Sequence, residues 1–374
     1  MSCGAVEIRL LPASEAERLD TERWDALSAA AISPNPFYSA WNLRPALRYL
    51  SEGAELELLT AWQNDQLVGL VPLRYRVSRM GLKLATVWKH TECYSGTPLL
   101  RSADVWREML EGLWQQRGVQ MLTNSTQVGV ALSGGDGEHL ERLSYARPVL
   151  HTRYDYREVQ QHWKGKVRRE RNRLERRCFR DAKANYSNAV EGIAEQLEDY
   201  LSLEAAGWKG RAGTAIDTQP ALRDYYREMA RGASQAGAIE IQRLAQGDRP
   251  MAMSIRLLSG GRAFEIKTCY DESAASLAPG VVLELQNIRA LCGREDIHLA
   301  DSCTSAGNEL LQQLWHGTMP VYSSAYFGPG LTAGLMRRGI CLYFQLRSLK
   351  RRLKAKRPGA SVVFGTQESD NGRV

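Results

Sequence analysis

Glu204, Trp208 and Lys209 stand together in LEAAGWKGRAGTAI, residues 203–216, among glycines at 207, 210 and 213. A carboxylate and an ammonium five residues apart can exchange protons or hold charged groups, and an aromatic beside them can wall off water. Leu197, Leu201, Glu204 and Trp208 follow one another at spacings of four, three and four, so a helix ending at the glycines projects all four from one face. The plain reading is a partly exposed acid on a surface helix whose tryptophan docks on the core. Lys209, about 100° further round the helix, points elsewhere. Further along, Lys267 and Tyr270 sit near the end of an alternating segment, Asp301 closes another, and Asn308 lies in a short helix. His90, His139, His151, His162, His298 and His316 show no metal-ligand spacing, and no metal is expected.

Composition bounds what can position these residues. The chain has 374 residues, 44% of them hydrophobic, which is enough for two cores. No apolar run reaches bilayer-spanning length, and the acidic N-terminus lacks the basic-then-apolar order of a secretory signal. Seven scattered cysteines without a CxxC pair suit reduced thiols, so the expected compartment is the cytoplasm. The net charge of +7 is concentrated in KGKVRRERNRLERRCFR, residues 164–180, and in residues 331–374. Between these two basic segments and before them the chain is mildly acidic. Basic helices of this kind face nucleic acid, anionic lipid or acidic ligands.

The halves resemble each other. LELLTAWQNDQLVGLVPLR, residues 56–74, and IEIQRLAQGDRPMAMSIRL, residues 239–257, both read as strand, polar turn, strand. In the second copy RAFEIKTCYDE continues the alternation, with Phe264, Ile266, Thr268 and Tyr270 on one side and Glu265, Lys267 and Cys269 on the other. A helix follows from Pro279 to a capping Gly293, then the strand DIHLADS, a helix SAGNELLQQLWHG closed by Gly317, and a last strand. The order predicts an α+β fold of two tandem domains, each a mixed, mostly antiparallel sheet flanked by helices. The expected boundaries are 1–155, a basic linker helix over 156–190, a catalytic domain over 191–330, and a basic amphipathic helix with a disordered tail over 331–374.

NPFYSAWNLRPAL (35–47), LTAWQNDQLVGLVPL (59–73), GKVRRERNRLERR (165–177), LEAAGWKGRAGTAI (203–216), KTCYDESAASLAPGVVLELQNIRAL (267–291) and DSCTSAGNELLQQLW (301–315) resemble, in order, segments of the CelD-type acetyltransferases. That family is a branch of the GNAT acyltransferases and shares its tandem plan with the Fem peptidyltransferases. The resemblance implies transfer of an acyl group from acetyl-CoA or another acyl-CoA to an amine by direct attack on the thioester. The Q/R-x-x-G-x-G/A loop of typical GNAT enzymes is absent; LAPGVV stands in its place, so Pro279, Gly280, Val281 and Val282 would offer helix N-terminal donors to the CoA diphosphate. Pro-Gly opening an ordinary core helix is the alternative.

Within this resemblance Glu204 becomes the expected base, its pKa raised by the apolar stripe, and Trp208 and Lys209 contact the acceptor or the phosphates. Lys267 flanks the acyl chain, Tyr270 protonates the leaving thiolate or merely packs at a rim, and Asp301 binds the amine or caps the next helix. Asn308 reaches the pantetheine amides or is an exposed helical residue. The first half is expected to be degenerate and to shape the acceptor pocket through His90 and Tyr94 in KHTECYSGTPLL, residues 89–100. Two rivals use the basic helices: a Fem-like transferase taking aminoacyl-tRNA, and a nucleic-acid-binding protein, although neither helix interleaves aromatics for stacking. Leu335, Leu342, Leu346, Leu349 and Leu353 with Arg347, Lys350, Arg351 and Lys354 further predict peripheral contact with an anionic membrane.

Overall fold

The computed structural model describes residues 5–130, 132–133, 139–305 and 307–355. The first half runs β1 (Glu7–Pro12), α1 (Thr21–Ala30), α2 (Ala40–Tyr49), β2 (Leu56–Gln63), β3 (Gln66–Val77), β4 (Lys83–Val87), β5 (Leu99–Leu100), α3 (Ala103–Arg117), β6 (Met121–Val128) and β7 (His139–His151). Helices α4 (Tyr156–Gln161) and α5 (Gly165–Arg176) connect it to the second half. There β8 (Ala184–Ala189), α6 (Ile193–Ala206), α7 (Trp208–Arg211), α8 (Pro220–Gln235), β9 (Ile239–Gln246), β10 (Arg249–Ser259) and β11 (Arg262–Tyr270) precede α9 (Pro279–Leu291), β12 (Leu299–Asp301), α10 (Glu309–Leu314) and β13 (Gly317–Phe327). The chain up to Gly328 is one compact unit. Helix α11 (Leu331–Ala355) belongs to a second unit, and the tail expected to be disordered, from residue 356, lies outside the described residues.

Local chemistry explains the repeated hairpins. Asn64 and Asp65, both at positive φ, form the two-residue turn between β2 and β3 whose twist suits antiparallel strands, and Gly247 serves the same bend between β9 and β10. The strand order is β1-β2-β3-β4-β6-β13-β7-β12-β11-β10-β9-β8. From either end inward there are three antiparallel pairings and then one parallel pairing, β4 with β6 and β11 with β12. The repeats share one sheet. The last strand of each half is sent to the other: β7 pairs with β12, and β13 pairs with β6 while also lying against β7. Residues 184–189, expected within a linker helix, are strand β8 instead, because Tyr186 and its neighbours find a ladder partner in β9.

The largest core cluster joins the halves, with Trp24, Tyr38, Leu43 and Trp106 from the first and Tyr200, Tyr226 and Met253 from the second. Helices α2 and α8 approach closely because Gly232 has no side chain; a Cβ there would stand 2.8 Å from Trp41 Cβ. Tyr225 on α8 donates its hydroxyl to Asn42 Oδ1 on α2 at 2.8 Å. Both parallel pairings hold for three residues and then part. In the first half the resulting wedge is filled by the chain itself: Gly96 N–H bonds Thr126 O at 2.7 Å, Asn124 Nδ2 donates to Gly96 O at 2.8 Å, and Val128 N–H reaches Thr97 Oγ1 at 2.8 Å. In the second half β11 runs on beyond Phe264 with no strand on its β12 side among the described residues.

Candidate active site

Helix α6 buries Leu197, Leu201 and Glu204 as their spacing requires, but it ends at Ala206. Gly207 is extended, at φ −86° and ψ −167°, so Trp208 begins a separate turn and stands 54% exposed. The expected four-residue stripe is therefore cut before its tryptophan, which docks on no core. The glycine at 210 is obligatory, since a Cβ would lie 1.8 Å from Ala205 O. Glu204, 3% exposed, staples the turn that follows. Its Oε1 accepts Lys209 Nζ at 2.6 Å and the Tyr200 hydroxyl at 3.4 Å, and its Oε2 accepts Ile216 N–H at 2.8 Å. The expected apolar surroundings of this carboxylate are in fact a set of donors, and Lys209 turns inward to it. A cleft of about 40 Å³ lies here, lined by Glu204, Trp208, Lys209, Thr268, Cys269 and Tyr270. It has room for a water or two.

The strand opposite carries an irregularity that the alternating sequence conceals. Arg256 pairs with Glu265 but Ile255 pairs with Lys267, which leaves Ile266 as an extra residue in a β-bulge. The expected sharing of one face by Glu265, Lys267 and Cys269 therefore fails. Glu265 turns to the α9 side, where Arg256 Nε reaches it at 2.6 Å, while Lys267 and Cys269 face α6 and α8. Tyr270, 43% exposed, is on the α9 side. A Cβ on Gly280 would meet its ring at 3.4 Å, so strand end and helix start are adjacent. Ala278, at φ 50°, turns the chain into α9. The N–H groups of Val281 and Val282 both bond Ala278 O, at 3.0 and 3.1 Å, so of the four residues expected to bind CoA at this helix start only Gly280 offers an N–H that no acceptor among the described residues engages. Val282 itself is buried against Leu174 and Cys178 near the end of α5.

Lys267 Nζ lies 2.9 Å from Glu92 Oε2, a residue of the first half that spacing alone did not single out. The same oxygen accepts the Tyr226 hydroxyl at 2.5 Å and the Tyr94 hydroxyl at 3.4 Å. Burial and the Glu92 charge hold both phenols above their ordinary range, so they remain donors. His90, expected to contact the acceptor, is buried between Trp88 and Tyr225, and its Nδ1 accepts Glu92 N–H at 3.3 Å. Burial and Lys89 push its pKa down to about 3, leaving a neutral ring that fixes the backbone at Glu92.

Asp301 caps no helix. It is fully buried and pairs with Arg147 Nη1 at 3.0 Å, joining β12 to the incoming β7, and it also accepts Cys303 N–H at 2.8 Å. Arg147 Nη2 donates to Tyr94 O at 2.8 Å, so this pair also positions the loop that carries Glu92. Asn308 is the N-cap of α10, its Oδ1 accepting Leu311 N–H at 3.1 Å. Gly317 opens β13 and does not close α10. Glu204, Trp208, Lys209, Tyr270 and Gly280 thus gather at one end of β11, while Lys267, Glu92, Tyr94 and Tyr226 meet in the wedge where β12 leaves it.

Two sheet halves of the same order, each with a parallel pair that parts, define a tandem GNAT-type fold, and the comparisons agree. Residues 163–309 match the family model described as "Acetyltransferase (GNAT) domain". No curated protein sequence matches the chain. Among solved structures, a conserved protein of unknown function from Bacteroides thetaiotaomicron VPI-5482 superposes with a TM-score of 0.53 at 12% identity, covering 86% of this chain and 100% of the other. FemX gives 0.53 at 9% identity over 83% and 96%, and L-PGS from Bacillus licheniformis gives 0.53 at 12% over 85% and 96%. At such identities the likeness is one of fold.

Proposed function

We propose that the chain is an N-acyltransferase that moves an acyl group from an acyl-CoA to an amine acceptor by direct attack on the thioester. The observation that carries this reading is the wedge between β11 and β12, which opens after Phe264, is bordered by a bulge at Ile266 and leads to the start of α9. A free strand edge offers backbone groups to the pantetheine amides, and the unengaged Gly280 N–H with the positive end of α9 suits the diphosphate. The filled wedge of the first half favours placing the donor in the second. Lys267 lies beside the acyl end, Tyr94 on the acceptor side, and Trp208 and Tyr270 at the rim. The acceptor belongs to cell-envelope, polysaccharide or lipid chemistry, a reading taken from the family resemblance. Calorimetry with CoA, acetyl-CoA and a long-chain acyl-CoA tests the donor: micromolar binding to one of them is expected, and no heat with all three overturns it.

A second reading, aminoacyl-tRNA as donor, is favoured by α5. Arg168, Arg169, Arg173, Arg176 and Arg177 are exposed and form no ion pair among the described residues, while Glu175 turns to Arg289 at 3.1 Å. Leu174 and Cys178 seat this helix against the first turn of α9, so its unneutralised charge adjoins the donor site. For location, no helix among the described residues is long and apolar enough to cross a membrane. Leu331, Leu335, Leu342 and Leu346 are exposed on α11, which supports peripheral contact with an anionic surface.

A further inference from the structure

Each half supplies one member of the Glu92–Lys267 pair, and the topology brings the two to the wedge. Without the extra residue at Ile266, strict alternation from Phe264 would turn Lys267 to the α9 side; the bulge aims it at Glu92. The Glu92 side chain is 9% exposed and that of Lys267 18%, so the pair is largely stripped of water yet still reachable. Lys267 Nζ also lies 6.0 Å from the centre of the Tyr226 ring, so its ammonium stands beside a carboxylate that two tyrosine hydroxyls orient and an aromatic face. Both carboxylate oxygens of Glu204 are engaged, by its own helix and by the turn that follows, whereas the three donors at Glu92 all reach Oε2.

We propose that Glu92 and Lys267 are the proton acceptor and proton donor of the transfer, and that the acceptor approaches the Glu92 carboxylate as the neutral amine. This rests on the acyl-CoA reading above. The amine nitrogen attacks the thioester carbon; the new N–C bond forms as the C–S bond breaks. The proton shed by nitrogen goes to the Glu92 carboxylate, and the Lys267 ammonium gives one to the departing sulfur, so the products are the amide and the free thiol. Proton transfer from Glu92 to the neutral Lys267, across the 2.9 Å that separates them in the resting chain, restores both charges. Tyr226 is a positioning residue that orients the carboxylate.

The test uses the full chain with acetyl-CoA as donor and primary amines (ethanolamine, lysine, glucosamine) as probes, following thiol release. Glu92→Gln is expected to lower the rate 10²–10⁴-fold while CoA affinity stays within experimental scatter and the chain stays folded, with a lowered unfolding temperature because Lys267 loses its charged partner. Lys267→Met should slow thiol release in the same range, and Glu92→Asp should recover part of the rate. Wild-type turnover with an unimpaired Glu92→Gln variant overturns this proposal and leaves the acyl-CoA reading standing. Loss of CoA binding or of folding in Glu92→Gln and Tyr226→Phe alike makes the cluster structural and also overturns it. A wild-type chain that binds CoA but releases no thiol with any probe counts against the assigned roles, whereas one that binds no CoA sinks the donor reading itself.

Discussion

Glu284, on α9, gives the sharpest thermodynamic test of the fold. Its carboxyl group is buried, Trp315 Nε1 donates to Oε1 at 2.6 Å, and burial together with the charge of Glu265 pushes its pKa up from 4.5 to about 8. A group that binds its proton more tightly when folded contributes stability that is complete below the unfolded value, near 4.5, and is lost as pH rises through the folded one. At 1.36 kcal/mol per unit, a displacement of that size is worth up to about 5 kcal/mol across the interval. Glu284→Gln keeps an acceptor for Trp315 and stays neutral, so the variant and the wild type should be of similar stability at pH 4.5. The variant should then gain by several kcal/mol as pH approaches 8.5. Urea denaturation followed by tryptophan fluorescence at pH 4.5, 6, 7, 8 and 9 reads the difference directly. Parallel stability curves for the two proteins would refute a Glu284 that is protonated in the native chain.

Arg147→Ala leaves Asp301 charged and buried without its partner and should cost about 3–5 kcal/mol, measured as a shift in the denaturation midpoint. Replacing both by apolar residues of similar volume should recover most of it. Gly280→Asp should weaken CoA binding in calorimetry at least tenfold with no change in thermal unfolding, because a new Cβ makes only ordinary contact with Tyr270 while its carboxylate opposes the diphosphate. Removing residues 331–374 should reduce co-sedimentation with anionic vesicles and leave CoA binding intact; undiminished sedimentation would remove α11 from the membrane reading.

The repeated hairpins were legible because turn chemistry and apolar alternation are local, and both begin where the 183-residue offset puts them, at Leu56 and Ile239. The helix from Pro279 was legible for the same reason. The break after Glu204 was foreseen from its glycines, but its position one residue before Trp208 follows from the extended Gly207. Non-local facts left no trace in the pattern. The bulge at Ile266 hides inside regular alternation, and Arg147 and Asp301 are 154 positions apart. Glu92 lies between two residues that the family resemblance picked out, His90 and Tyr94, yet only the meeting of the halves shows that its carboxylate is the one in reach of Lys267.

The exchange of β7 and β13 governs how the chain can be made. When residues 1–155 have left the ribosome, β6 still lacks the neighbour that completes its ladder, because that neighbour is β13, the last strand of the sheet. The free edge of β6 and the long β7 must wait until residue 327 has emerged, a sequence separation that slows folding and leaves strand edges open to other chains. Synthesis cut at residue 155 therefore yields a fragment with an unfilled seam, and its missing strand travels with the other piece. Two such pieces expressed together would have to find each other to restore the seam.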